Sequence, residues 1–430
     1  MKNSEMLELA RKYVIRYCGE FKHPVIAGAK GSIITDVEGN NYLDFTSGQI
    51  CATIGHNHPR VVEALKEAAE RPMNLRYSIL SPEVIELSKR ISEIAPDPLK
   101  KVILLSTGSE SNEIAFRLAK LYTERFEIVG LLQSFHGLTG GAATLNFSVE
   151  PKGYGPLLPS RLALFAPYCY RCSLGLESGS CGFECVTLGF EMVDRLSVGS
   201  LAALIAEPII GAGGILVPPD GYLRELQRQC RARDMLLILD EAITGFGRTG
   251  DLFAFQHDGV VPDILTLSKT LGGGVPIAAT VTTEAIEEGV FQKDFFHGTS
   301  HVSDPLPARV ALTVLDVIEE ENLVQASREK GEYFKQRLEE LAERYEVIGD
   351  VRGRGLMIGV EFVEDRETKE PAAEKLSKIT EECLKRGLSI GLVTRPGRQS
   401  LWRLVPPLTT SYEELDRATD IIGESLEATA

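Results

Sequence analysis

Thr266-Leu267-Ser268-Lys269-Thr270-Leu271-Gly272-Gly273-Gly274 is the stretch on which the reading of this chain turns. A lysine stands just past an apolar run, before a glycine-rich turn that lets backbone come close. Two earlier runs share this form. Leu204-Ile205-Ala206 ends on Glu207, and Met235-Leu236-Leu237-Ile238-Leu239 ends on Asp240. Buried parallel strands read as continuous apolar runs, and α/β folds build their sites at the carboxyl ends of such strands. The runs predict an α/β fold with Glu207, Asp240 and Lys269 at one mouth. An amine in a dry pocket forms imines with aldehydes, so Lys269 is the most informative of the three.

Outward from this centre, residues 56–305 alternate short apolar runs with helical patterns. That rhythm predicts a large domain with a mostly parallel central sheet covered by helices. Residues 1–55 read as an N-terminal arm contributing to a small domain. The alternation on either side of Glu38-Gly39-Asn40 predicts a hairpin there. Residues 306–430 read as that smaller α+β domain, with helices over Ala308 to Leu323 and Ala373 to Arg386 and a strand at Leu356 to Phe362.

Bulk properties exclude several functions. The chain has 430 residues, 43% hydrophobic and 25% charged, with a net charge of −15. Nucleic acid and anionic membrane both require a basic footprint, so neither is expected as a partner. No apolar leader and no run of about 20 apolar residues is visible, so a cytoplasmic location is expected. Eight cysteines in 430 residues are too few for a disulfide scaffold.

Lys101-Val102-Ile103-Leu104-Leu105 reads as a strand, Ser106-Thr107-Gly108-Ser109 as a turn, and Glu110 to Leu121 as a helix. Such a unit aims free backbone N–H groups at an anion, although an ordinary capped helix has the same pattern. Asp240, at the mouth of a buried strand, needs a cationic partner or a raised pKa. Pyridoxal phosphate requires a lysine, an acid for its ring nitrogen, a phosphate cradle and a flat contact for its ring. Lys269, Asp240, Thr107-Gly108-Ser109 and Phe135 of Ser134-Phe135-His136-Gly137 offer all four. Each has a plain structural reading singly; together they point to this cofactor.

The segment Leu239-Asp240-Glu241-Ala242 through Arg248-Thr249-Gly250, with Leu267-Ser268-Lys269-Thr270-Leu271-Gly272-Gly273-Gly274, resembles the class III pyridoxal-phosphate aminotransferases. That family has the aspartate-aminotransferase type of fold, fold type I. Within it the chain is similar to 2,2-dialkylglycine decarboxylase. The shared stretches are Leu43-Asp44-Phe45-Thr46-Ser47-Gly48-Gln49, Leu104 to Gly108 with Glu110-Ser111-Asn112-Glu113, His301 to Pro307, and Arg403 with Pro406-Pro407-Leu408-Thr409.

The resemblance implies first a decarboxylase-like enzyme that couples amino-acid decarboxylation or deamination to amino transfer onto a keto acid such as pyruvate, with a class III transaminase that does not decarboxylate as the alternative. Racemisation of an amino acid is an alternative within the family, and a non-catalytic regulatory protein is an alternative outside it. Lys269 would hold the cofactor and shuttle protons, and Asp240 would keep the ring nitrogen protonated. Arg403 would bind a substrate carboxylate, and Gln49 would sit beside the bond that breaks. Thr107, Gly108, Ser109, Asn112, Phe135, His136, Glu207 and Ile243 would surround the cofactor. Thr299 and Ser300 would reach the phosphate of a neighbouring subunit. That implies an obligate homodimer with shared active sites, alone or paired into a tetramer.

Three positions depart from the decarboxylase pattern. Phe135 stands for a tryptophan, Ala212 for a serine and Ile243 for a glutamine. The resemblance also implies an alkali-metal site for potassium or sodium at Leu75, Ser300, Val302 and Asp304, with Tyr77 in place of a small serine ligand. A separate cluster, Cys169, Cys172, Cys181 and Cys185, has spacing that suits zinc or an iron–sulfur cluster, or a set of reduced or paired thiols.

Overall fold

The computed structural model describes residues 2–429 apart from 18, 22–23, 149–152, 154, 160 and 396. Its centre is a seven-stranded sheet. In spatial order the strands are Leu99–Leu105, Ala278–Thr283, Ile264–Leu267, Leu236–Asp240, Leu201–Ala206, Glu127–Leu131 and Leu162–Leu164. The last five run parallel. Ala278–Thr283 is antiparallel to both of its neighbours. Two reversals restore direction, so the Leu99–Leu105 strand points the same way as Ile264–Leu267. Ser106, Glu207, Asp240 and Lys269 therefore all leave the sheet at one edge.

The apolar runs form strands because both of their faces are covered. Leu204, Leu237, Leu239 and Leu265 join a core cluster with Tyr222 and Leu226 of the helix Tyr222–Arg231. Their alternates Ile205, Ile238 and Ile264 join a second cluster with Ile114 and Leu118 of the helix Gly108–Thr123. Each fully buried aliphatic side chain is worth roughly 1.5–3 kcal/mol relative to exposure. A one-residue slip in register would exchange the two clusters.

The expected N-terminal hairpin is present. Ile33–Asp36 pairs antiparallel with Asn41–Asp44. The Asp36 carboxylate closes the turn by accepting from the backbone N–H of Glu38 and Asn40, each at 2.9 Å. Ile26–Lys30 adds to one side of this sheet and Leu388–Ser389 to the other, so the two ends of the chain share it.

A third sheet has the order Ile348–Arg354, Met357–Phe362, Gln399–Leu404, Gly391–Arg395, all antiparallel. The helix expected to run from Ala308 to Leu323 ends at Glu320, and another runs Leu323–Arg344. Asn322 between them has φ +51°, a left-handed conformation that asparagine tolerates and that stops the first helix. Among the described residues no helix is long and apolar enough to cross a membrane.

Candidate active site

Asp240 is the hub of the sheet edge. Its Oδ2 accepts from Asn112 Nδ2 and from His136 Nδ1, both at 2.8 Å, and its Oδ1 accepts from the Ala242 backbone at 3.0 Å. A carboxylate only accepts, so the proton of the histidine bond sits on Nδ1. Burial pushes the Asp240 carboxyl up. The His136 hydrogen bond and charge, the Ala242 N–H and the Lys269 charge outweigh that and hold it below the ordinary carboxylate range.

Asn112 is fixed from three sides. Its amide also donates to the His136 carbonyl at 2.8 Å, and its oxygen accepts from Thr266 Oγ1 at 2.8 Å. Thr266 was missing from the expected set. Its signal was there: a threonine inside Ile264-Leu265-Thr266-Leu267 is a polar group in a fully buried strand, and such groups find partners.

Lys269 follows the adjacent strand and is half-buried, with φ +44°. Gly108, the first residue of the helix Gly108–Thr123, lies close by. A Cβ there would sit 3.3 Å from Ser268 Cβ and 3.6 Å from Ala242 Cβ. Thr107 caps this helix in a reciprocal box with Glu110. The Gly108 and Ser109 N–H groups have no protein partner among the described residues. Gly137 has φ +121°, and a Cβ there would overlap Ser109, so the Ser134–Gly137 turn lies directly on the cradle.

Glu207 follows the strand Leu201–Ala206 and is buried. Its two oxygens accept from the backbone N–H of Phe135 and of Gly211, each at 2.9 Å. Burial pushes its carboxyl up to about 7, with the nearby Asp240 adding to the shift and His136 opposing it. Phe135 is thereby anchored through its backbone with its side chain half-buried. Beyond Glu207, Ile50, Ile209, Ile215, Ile243, Met357 and Val405 form one buried apolar cluster.

Arg403 comes from the third sheet and is half-buried. Its Nε has no hydrogen-bond partner among the described residues, and burial lowers its pKa against the opposing charge of Glu207. Gln49 is exposed on a segment where Ser47, Gly48 and Ile50 all have positive φ. A 2.9 Å bond between Thr53 Oγ1 and Thr270 Oγ1 ties that segment to the residue after Lys269.

Other expected residues make no hydrogen bond to Lys269 or Asp240 among the described residues, although His301 O accepts from Ser106 Oγ at 3.4 Å. Thr299 and Ser300 are exposed, and among the described residues no hydrogen bond joins them to Lys269 or Asp240. Ser300 O and Asp304 Oδ1 both accept from Asn74 Nδ2, at 2.7 and 2.6 Å, and Asp304 Oδ2 faces His301 Nδ1 at 2.7 Å. Leu75 is half-buried and Val302 buried beside them. Two of the oxygens expected to hold an alkali metal thus converge on an amide donor.

Cys169, Cys172, Cys181 and Cys185 are half-buried, unpaired, and line one cavity of about 30 Å³. Burial, with Cys181 and Cys169 nearby, pushes the Cys185 thiol up to about 11. Among the described residues no three His, Cys, Asp or Glu side chains are grouped so as to hold a metal ion. The zinc or iron–sulfur expectation therefore rests on spacing alone.

The family model described as "Aminotransferase class-III" matches residues 19–426. An uncharacterized aminotransferase of Schizosaccharomyces pombe is 41% identical, over 98% of this chain and 94% of its own length. A leucine/methionine racemase of Thermococcus litoralis is 36% identical, over 99% and 96%. The crystal structure of an (S)-enantioselective omega-transaminase from Thermomicrobium roseum superimposes with a TM-score of 0.91 at 33% identity, over 100% of this chain and 99% of that one. With these matches spanning nearly its whole length, the chain belongs to the class III aminotransferases, pyridoxal-phosphate enzymes of fold type I.

Proposed function

We propose that the chain moves an amino group from an amino acid with an apolar side chain to a keto acid, without decarboxylation. The observation that carries this is Arg403, whose buried Nε has no partner among the described residues, set in register with Gly359, which packs on Ile215 of the isoleucine-rich wall around Ile243. A guanidinium suits a substrate carboxylate, and the wall suits an aliphatic side chain.

The residues present fit pyridoxal phosphate. Asp240 uses three acceptor positions of about four, which leaves one on Oδ1 for a ring N–H. The free N–H groups of Gly108 and Ser109 suit a phosphate at a helix N-terminus. The cofactor, when bound, supplies an aldehyde that captures amines and a ring that draws electrons from the substrate α-carbon. Lys269 Nζ takes the proton from that carbon. Arg403 orients the substrate so that this C–H, rather than the carboxylate, is the bond exposed to the lysine. The apolar wall excludes water and selects the side chain.

Decarboxylation of an α,α-disubstituted amino acid is the second reading. Gln49, on a strained segment tied to Thr270, supports it. Loss of the serine and glutamine of the decarboxylase pattern at Ala212 and Ile243 speaks against it. Thr299 and Ser300, exposed and with no hydrogen bond to Lys269 among the described residues, suit a homodimer in which each chain completes the other's site. The small domain in this reading comprises residues 1–55 and 306–430, with 56–305 as the large one. A metal at the cysteine cluster is a further part of the proposal, tested by elemental analysis of reduced protein.

The functional test offers pyruvate with L-leucine, L-methionine or 2-aminoisobutyrate to the purified holoenzyme. Alanine formed from the first two without carbon dioxide is the expected result. Acetone and carbon dioxide from 2-aminoisobutyrate would establish the second reading instead. Loss of optical purity without alanine would indicate racemisation. The visible absorbance of the lysine-bound cofactor disappears in Lys269→Ala; a wild-type preparation that takes up no pyridoxal phosphate would overturn the assignment.

A further inference from the structure

The turn Ser47–Ile50 lies against Lys269–Gly272 in a backbone conformation that its residues rarely adopt. Ser47, Gly48 and Ile50 have φ of +47°, +62° and +60°. Such angles are sterically costly for serine and more so for isoleucine, which is branched at Cβ. The turn also borders the site through its side chains. Ile50 joins the apolar wall around Ile243, the Lys269 charge acts on the Cys51 thiol, and Thr53 bonds to Thr270. Gln49 stands between the strained residues and is exposed, and its side-chain amide makes no hydrogen bond among the described residues.

Strain of this kind persists only where surrounding groups over-determine it. Here the main group is Asp44, buried at the end of the strand Asn41–Asp44. Its Oδ1 accepts from the Thr46 backbone N–H at 3.0 Å and from the Thr46 hydroxyl. Its Oδ2 accepts from the Gly48 N–H and from His56 Nε2, each at 2.7 Å. A carboxylate only accepts, so the proton of the histidine bond sits on Nε2. His56 is itself fixed from behind. Its backbone N–H and C=O exchange bonds of 2.9 Å with Gly31, between the strands Ile26–Lys30 and Ile33–Asp36. Its ring lies against Gly48, where a Cβ would stand 3.6 Å from His56 Cε1. On the far side of the turn, Ser47 Oγ donates to the Val405 carbonyl at 2.6 Å.

We propose that His56 is a positioning residue: by fixing the Asp44 carboxylate on the Gly48 N–H, it sets the strained turn that presents Gln49 to the site around Lys269. This rests on the functional reading above and adds to it a residue that touches neither substrate nor cofactor. The lever is short. Gly48 directly precedes Gln49, so a rotation at Gly48 swings the glutamine side chain. Without the His56 bond, Oδ2 turns away from the Gly48 N–H, and Ser47 and Ile50 relax toward ordinary φ. The Gln49 amide then leaves the site, while the central strands, the cradle at Gly108 and Lys269 stay as they are.

Two measurements on the holoenzyme test this. Hydrogen exchange reads the turn itself. In His56→Phe the amides of residues 46–51 exchange faster by about tenfold or more, the effect of losing one bond to a charged group. The strand Leu236–Asp240 keeps its wild-type rate. Steady-state kinetics with L-leucine and pyruvate reads the consequence. His56→Phe lowers kcat/KM by about tenfold. In a Gln49→Ala background the same substitution changes kcat/KM by less than about twofold, because the side chain it positions is gone. His56→Gln, whose amide donates in place of Nε2, recovers most of the loss. A histidine that only supports the fold would cost the same factor in both backgrounds. That result, or an unchanged exchange rate over 46–51 in His56→Phe, overturns the proposal. If His56→Phe melts early, His56→Asn, whose amide stops short of Asp44, replaces it in both measurements. A wild type that transfers no amino group would refute the functional reading, and the exchange rates would still decide whether His56 holds the turn.

Discussion

His136 Nδ1 stands 2.8 Å from Asp240 Oδ2, with both side chains buried at the end of the central sheet. The two residues are 104 positions apart in the chain, and Asn112 bridges them by donating to Asp240 Oδ2 and to the His136 carbonyl. The pair holds a negative charge where solvent cannot, facing Lys269.

Replacing His136 by phenylalanine removes a bond that keeps the Asp240 carboxyl low, so that carboxyl rises. Activity that requires ionised Asp240 then fails at a higher pH than in wild type. The acid limb of the kcat/KM profile moves up, and kcat/KM at neutral pH falls by roughly 10- to 150-fold, from about 1.5–3 kcal/mol for a bond to a charged group. A profile whose acid limb stays in place would disconnect His136 from Asp240.

Glu207 and Glu241 are both buried and both pushed up to about 7 from an ordinary 4.5, chiefly by burial. Each binds its proton more tightly folded than unfolded. Between about pH 4.5 and 7 the folded state therefore holds more protons, and stability falls as pH rises through that window. Below it both states are protonated and no penalty applies. Melting temperature followed from pH 4.5 to 8 declines in wild type and declines less steeply in Glu207→Gln. An identical slope in the variant would mean that Glu207 does not titrate there.

Glu361 is fully buried and accepts from Tyr168 Oη, from Arg171 and, at 2.7 Å, from Arg352. Arg352 Nη2 in turn donates to the Gly214 carbonyl at 2.7 Å, beside the substrate wall. Glu361→Ala leaves Arg171 without a carboxylate and Arg352 with Asp350 alone, and the expected loss is about 3–5 kcal/mol in denaturant unfolding. A loss below about 1 kcal/mol would show that water reaches and rescues the arginines.

A Cβ on Gly211 would lie 2.5 Å from Ile243 Cδ1. That contact is with the tip of a side chain that can rotate, so Gly211→Ala reshapes the pocket more than it destabilises the fold. The expected result is a KM raised several-fold for leucine with a melting temperature little changed. Adding Ile243→Val removes the crowded methyl and restores much of the KM. Failure of the double variant to recover would place the damage in the Glu207–Gly211 bond instead.

The strand-end residues were legible in the sequence because their physics is local. An apolar run long enough to be buried on both faces ends where a polar residue appears, which marks Glu207, Asp240 and Lys269 without any knowledge of distant contacts. The helix cap at Thr107 and Glu110 and the turn at Asp36 to Asn40 are equally local. By contrast, Arg352 gave no such sign, and Thr266 showed only as a polar residue inside a buried strand, without its partner. Thr266 matters because strand pairing sets it beside Asn112, 154 positions away. The helix break at Asn322 also escaped the periodic pattern, since one left-handed residue leaves the apolar spacing on either side intact.

What the sequence determined alone is the set of elements and the chemical groups at their ends, since burial, capping and turn formation depend on near neighbours. Only the tertiary structure decided which groups meet. Two antiparallel steps through Ala278–Thr283 bring the Thr107 turn to the same edge as Lys269. Strand register puts Arg403 beside Gly359. Those outcomes follow from long-range pairing and from the cost of leaving a buried polar group without a partner, neither of which is encoded in any short stretch of the chain.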